Sequence, residues 1–178
     1  MDAEEFDRRV AALEARSQVL HDVAEIENLH RRYFRTIAAH EFAEAGRYFT
    51  DDAEVDLHAA GPQVGRAAYE ELFGRLAALV TTPDGYVLSS PVVSVHGDEA
   101  TGTWTWHRFQ CEFEVMGGSV RAWGPWWEGR HYAEYRRSPA GWRIRRLRIR
   151  AVAPDPDPPD RAESLPAAPN GSRRYDGK

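Results

Sequence analysis

Between Glu99 and Arg150 the chain reads as three consecutive long strands, and this stretch constrains the fold more than any other. In its first part Ala100, Gly102, Trp104 and Trp106 alternate with Thr101, Thr103, Thr105 and His107. Alternation at period two places successive side chains on opposite faces of a pleat, and tryptophan with threonine suits a half-buried sheet. A second strand, roughly Ser119 to Arg137, carries His131, Tyr132 and Tyr135. A third, Gly141 to Val152, carries Trp142, Ile144, Leu147 and Ile149 among five arginines. Gly117-Gly118 and the Ser138–Gly141 turn supply hairpin chemistry between them. All six tryptophans of the chain lie in this stretch, so one face of the sheet needs a cover.

The upstream sequence supplies it. Ala3 to Leu20 reads as a charged helix with a narrow stripe of Phe6, Val10, Leu13 and Leu20, a pattern suited to another helix or a second subunit. His21 to Ala39 reads as a second helix, with Val23, Ile26, Leu29 or His30, Tyr33 and Ile37 on one side. A short helix over Glu41 to Phe49, a strand over Ala53 to His58, a helix over Arg66 to Val80 and a strand over Tyr86 to Val95 follow. In the last strand the apolar positions change parity between Ile144 and Leu147, which predicts a bulge near Arg145 and Arg146.

The expected architecture is therefore α+β: a curved antiparallel sheet wrapped around N-terminal helices, forming a cone with a central pocket. Residues 1–20 are expected as an N-terminal helix and candidate dimer contact, and 21–152 as the cone domain. Residues 153–178 are expected as a proline-rich extended or disordered tail, since proline lacks the donor a ladder needs.

Composition enters as a filter. The formal net charge of −5 over 178 residues gives no basic footprint, so nucleic acid is not an expected partner. No apolar run has the length of a bilayer span, and the acidic start Met1-Asp-Ala-Glu-Glu is unlike a secretory leader. One cysteine, Cys111, excludes an internal disulfide and suits a reducing cytoplasm. No His-x-His or His-x-x-x-His pair and no glycine-rich phosphate loop occurs, so neither a metal nor a nucleotide cofactor is expected.

Ile26–Arg35, Phe49–Ala53, Gly97–Ala100, Gly129–Tyr135 and Gly141–Ile144 together carry a resemblance. Over roughly residues 20 to 152 the chain resembles the nuclear transport factor 2-like superfamily, in its SnoaL-like branch of polyketide cyclases and scytalone dehydratase-like proteins. The resemblance implies a cofactor-independent cyclase, dehydratase or isomerase acting on a polyketide-like or polycyclic small molecule, or a non-catalytic ligand-binding or dimerisation module. Tyr33 matches the bile-acid dehydratase pattern's helix tyrosine. Ala38 stands where that pattern has aspartate, and Tyr86 where it has histidine. His131 falls near an inward asparagine of the scytalone dehydratase type.

The chemistry of the side chains then orders the candidates. His131 titrates near neutrality and is the candidate general acid or base, its alternative being a histidine satisfied within a closed core. Tyr33 and Tyr86 can donate to a substrate carbonyl or a developing enolate, or serve as core aromatics. Trp104 and Trp106 form an aromatic wall for a flat apolar ligand, or pack as large core residues. Arg146, turned inward by the bulge, would hold an anionic group, and His58 shares a strand face with Asp56 that can look into the pocket. The sheet face opposite the pocket, with the N-terminal helix, is the expected homodimer surface.

Overall fold

Alternation of small or aromatic residues with threonine builds one long strand of the sheet, next to its edge. The computed structural model describes residues 2–57, 61–79, 84–113 and 120–152. Helix α1 (Ala3–Ala38) is followed by a 3-10 helix (Phe42–Tyr48), strands β1 (Phe49–Leu57) and β2 (Pro62–Val64), and helix α2 (Arg66–Leu79). Four long strands complete the chain: β3 (Asp84–His96), β4 (Glu99–Phe113), β5 (Val120–Ser138) and β6 (Gly141–Val152). They form one six-stranded sheet in the order β2-β1-β6-β5-β4-β3.

The expected α+β class and curved sheet are present, with one difference. Strands β3 to β6 are antiparallel as expected, but β1 joins β6 in parallel, so the sheet is mixed. The sequence-predicted bulge is there as well. Glu134 pairs with Arg146 and Tyr135 with Ile144, leaving Arg145 as the extra residue.

The two expected N-terminal helices are one. Ala3 to Ala38 runs unbroken for 36 residues, begun by Asp2, whose carboxylate accepts from the Glu5 amide at 2.7 Å. At its far end His40 takes a left-handed conformation, φ 61°, and Glu41 donates to the Thr36 carbonyl while His40 donates to Ile37. This paired closure satisfies the last carbonyls and stops the helix. The two halves of α1 differ sharply in environment. Phe6, Val10, Leu13 and Leu20 are exposed, whereas Ile26, Leu29, His30, Tyr33 and Phe34 are buried.

That buried half lies on the concave side of the sheet with Ile144, Leu147, Val55 and Tyr135. Each large apolar side chain removed from water there contributes about 1.5–3 kcal/mol. A polar clamp fixes the angle of the helix. Asp22 is 2% exposed and receives Arg137 at 2.6 Å, Gln18 at 3.1 Å and the Trp142 indole N–H at 3.3 Å. Arg137 also donates to Asp98 at 3.0 Å and lies over the Trp142 ring. The clamp ties α1 to the β5–β6 hairpin. His58 and residues 153–178 lie outside the described residues.

Candidate functional site: a buried imidazole pair under the sheet

On β4 and β5 the inward parity selects Gly102, Trp104 and Trp106 from one strand and Gly129, His131, Ala133 and Tyr135 from the other, with Trp104 opposite His131 in register. Two glycines make room for flat rings. A Cβ on Gly129 would lie 2.3 Å from the Trp106 indole nitrogen, and one on Gly102 would lie 3.0 Å from the Tyr135 ring. Both aromatic rings therefore lie against bare backbone, which leaves depth for a side chain from α1. His30 supplies it.

His30 stands four residues after Ile26 on the buried stripe of α1 and is fully enclosed, 0% exposed. Its ring stacks on Trp104 with centroids 4.5 Å apart and planes within 4°. Its Nδ1 lies 2.8 Å from the Tyr135 hydroxyl, which also accepts the Trp104 indole N–H at 3.0 Å. Its Nε2 lies 3.0 Å from Nδ1 of His131. Four side chains from α1, β4 and β5 thus form one hydrogen-bonded line: Trp104, Tyr135, His30, His131.

His131 is the end of that line. It is 3% exposed, and its Nε2 has no hydrogen-bond partner among the described residues. Phe34 and Trp106 flank the ring, with centroids 5.9 and 6.4 Å away. The Trp106 indole nitrogen is itself buried without a partner among the described residues.

Burial decides the electrostatics. It holds His131 down to about 3, from an ordinary imidazole value of 6.5. His30 is held well below the same value, first by burial and then by the neighbouring His131. Both rings are neutral at physiological pH, because an unpaired cation here would be stripped of water. Burial likewise raises the phenols of Tyr33 and Tyr135, so both stay protonated.

The candidates from sequence divide accordingly. His131 and Trp104 belong to the hydrogen-bonded line, and Trp106 borders it. Tyr33 lies edge-on to His30 with ring centroids 5.8 Å apart, but packs on Tyr48 and Phe49 and does not hydrogen-bond to His131. Tyr86 is half-buried and meets Phe34 edge-on at 6.2 Å, and Phe34 in turn meets His131. Arg146 is a correction. The bulge does not turn it inward; its guanidinium lies on the outer face, 3.1 Å from Glu54 and 2.8 Å from Glu134. Two carboxylates satisfy it there, so it holds no interior anion. A groove of about 330 Å³ on this outer face is lined by Val92, Thr101, Thr103, Tyr132, Glu134 and Arg146.

Sequence reasoning passed over His30 and gave Tyr135 no chemical part. A polar residue on an apolar stripe four positions after Ile26 was the available signal for His30. Among the described residues no group of three or more His, Cys, Asp or Glu is placed to hold a metal ion. No helix among them is long and apolar enough to cross a membrane.

Comparison with known proteins agrees with this fold. Residues 18–148 match the family described as SnoaL-like domain. A solved NTF2-like protein with a cystatin-like fold from Novosphingobium aromaticivorans is 26% identical, with a TM-score of 0.63 over 81% of this chain and 90% of that one. A protein provisionally named scytalone dehydratase, from the same organism, is 16% identical, with a TM-score of 0.60 over 75% of this chain and 85% of that one. A ketosteroid isomerase-like protein from Erwinia carotovora atroseptica is 18% identical, with a TM-score of 0.57 over 75% of this chain and 98% of that one. These last two likenesses are of fold alone. No curated protein matches the chain.

Proposed function

The chain belongs to the SnoaL-like domain family, and from that premise we propose a cofactor-independent enzyme of the cyclase, dehydratase or isomerase type. Its substrate is a polyketide-like or polycyclic small molecule, handled in the cytoplasm by proton transfer and hydrogen bonding. One observation carries the reading. A buried imidazole, His131, is held by a hydrogen bond from behind and keeps its remaining ring nitrogen without a hydrogen-bond partner among the described residues. Most buried side-chain polar atoms have a hydrogen-bond partner, so an imidazole with one nitrogen left open is suited to meeting a ligand. His131 is the group that meets substrate, Trp104 and Trp106 the aromatic wall behind it. Tyr33 and Tyr86 form a second layer through His30 and Phe34.

His131→Ala tests this. Against a panel of enolisable polycyclic ketones and hydroxylated aromatic polyketides, the variant is expected to lose at least about 100-fold in turnover, the scale of one acid–base or hydrogen-bonding group. Its fold and most of its ligand affinity should remain. Unchanged turnover in that variant overturns the assignment.

A second reading is favoured by the absence of any carboxylate from the hydrogen-bonded line: a non-catalytic binding module of the same fold. Such a protein binds the panel by calorimetry and turns over none of it. In either case we propose a homodimer using the outer sheet face and the exposed stripe of Phe6, Val10, Leu13 and Leu20. Sedimentation as a monomer would remove that part.

A further inference from the structure

The hydrogen-bonded line has a direction, and the direction decides what His131 offers. Trp104 can only donate, so the 3.0 Å contact to the Tyr135 oxygen uses the indole proton. Tyr135 then has one proton of its own to place. Among the described residues the acceptor within reach is His30 Nδ1, at 2.8 Å. A neutral imidazole that accepts at Nδ1 carries its proton on Nε2. His30 Nε2 therefore donates to His131 Nδ1 across 3.0 Å. By the same rule His131, accepting at Nδ1, carries its own proton on Nε2.

The reverse polarity fails at one point. If His131 donated to His30 and His30 to Tyr135, the Tyr135 hydroxyl proton would have no acceptor, while that oxygen received two donors. Tyr135 is 1% exposed, so water does not replace the missing partner. The line runs one way.

We propose that His131 meets its ligand as a neutral N–H donor, and that Tyr135, acting through His30, is the positioning residue that sets this state. The occupant is accordingly a molecule presenting a hydrogen-bond-accepting oxygen, a ketone or enolate, to His131 Nε2. This rests on the reading of His131 as the substrate-facing group and narrows it: the imidazole stabilises oxygen charge and does not abstract a proton in its resting form. Trp104 holds the Tyr135 oxygen but does not choose the direction, because Tyr135 can still donate to His30 without it.

Long-range 1H–15N correlation on the uniformly 15N-labelled protein reads the tautomers directly. In the native chain both His30 and His131 are expected to show a protonated, pyrrole-type Nε2 and a bare, pyridine-type Nδ1. In Tyr135→Phe either polarity leaves one orphaned atom, so both rings should move toward averaged shifts or split into two forms. Trp104→Phe should keep the native tautomers even where it lowers stability. A native His131 protonated on Nδ1 overturns the proposal, as does a Trp104→Phe chain that loses the pattern as far as Tyr135→Phe does. If Tyr135→Phe does not fold, the native spectrum and Trp104→Phe still decide.

Titration with 1-tetralone, a bicyclic ketone, should shift the His131 Nε2–H resonance downfield, while tetralin, which lacks the oxygen, should not. No shift with the ketone up to its solubility removes the ligand class. Expected tautomers without turnover on any substrate sink the catalytic reading alone. Reversed tautomers with turnover sink this proposal alone.

Discussion

The two faces of β5 both carry polar side chains and hold them by opposite means. Inward, His131 and Tyr135 are dry, neutral and joined through His30 in one line of hydrogen bonds. Outward, Glu134 meets Arg146, which also meets Glu54, while Asp56 of β1 takes Arg148 and Arg150 at 3.6 and 2.5 Å. The Arg146 pairs with Glu54 and Glu134 are charged and partly exposed, so solvent screens them and each is worth little, while Asp56, 8% exposed, is the drier member of that face. Inner contacts are few, but nothing replaces a lost partner there. Polar groups of similar number thus have very different stakes, set by access to water.

His30→Leu breaks the inner face most directly. Leucine fills comparable space but orphans both the Tyr135 hydroxyl and His131 Nδ1, so equilibrium unfolding in urea should register a loss of about 3 kcal/mol. Adding Tyr135→Phe removes the orphaned hydroxyl but leaves the Trp104 indole N–H without its acceptor, so the double variant should lose about as much as His30→Leu alone, and less than the two single losses together. A double variant weaker than the sum of its parts would contradict the argument.

Asp22 lies between the two regimes, a buried carboxylate whose cation partner Arg137 is 30% exposed. The Arg137 hydrogen bond, opposed by burial and helped by Trp142 and Gln18, holds its carboxyl below the usual range. Asp22→Asn should cost about 2 kcal/mol, read by the same unfolding experiment. Because the folded value is depressed, this contribution is present above the unfolded value of 3.8 and is lost as pH falls through the folded one.

Acid separates the faces by pH. A histidine depressed in the native state binds its proton more readily when unfolded, so its contribution is complete above 6.5 and declines as pH falls toward the folded value of about 3. Stability should begin to fall near pH 6.5, before the outer carboxylates titrate. Each of the two imidazoles adds about 1.4 kcal/mol per pH unit to the slope at its steepest. His131→Asn should remove one such increment, measured as unfolding free energy between pH 6 and 4.

Much of this arrangement was legible in the sequence because the signals are local. Strand parity put Trp104 and His131 on one face, and the parity change at Ile144 marked the bulge at Arg145. What the bulge does to Arg146 was not local: Glu54 arrives from β1 through a parallel pairing that no neighbouring residue announces. The continuity of α1 was obscured because its apolar stripe changes character near Leu20, where the helix leaves solvent for the sheet. That change records a change of environment, with no break in backbone. His30 was hidden for a related reason. Its partners His131 and Tyr135 lie 101 and 105 residues away, and only packing brings them together.

The smallest expected effect completes the contrast. Arg146→Met deletes two ion pairs at once, and a count of contacts would rank it with the loss of His30. Its guanidinium is 42% exposed, however, and Glu54 and Glu134 return to water when it goes. Methionine keeps the apolar stem lying along the sheet. The variant should lose no more than about 1 kcal/mol in low salt, and less still in 1 M sodium chloride, where the Debye length falls to about 3 Å. A loss as large as that of His30→Leu, insensitive to salt, would mean that the outer network is held as dry as the inner one, and the distinction between the two faces of β5 would fail.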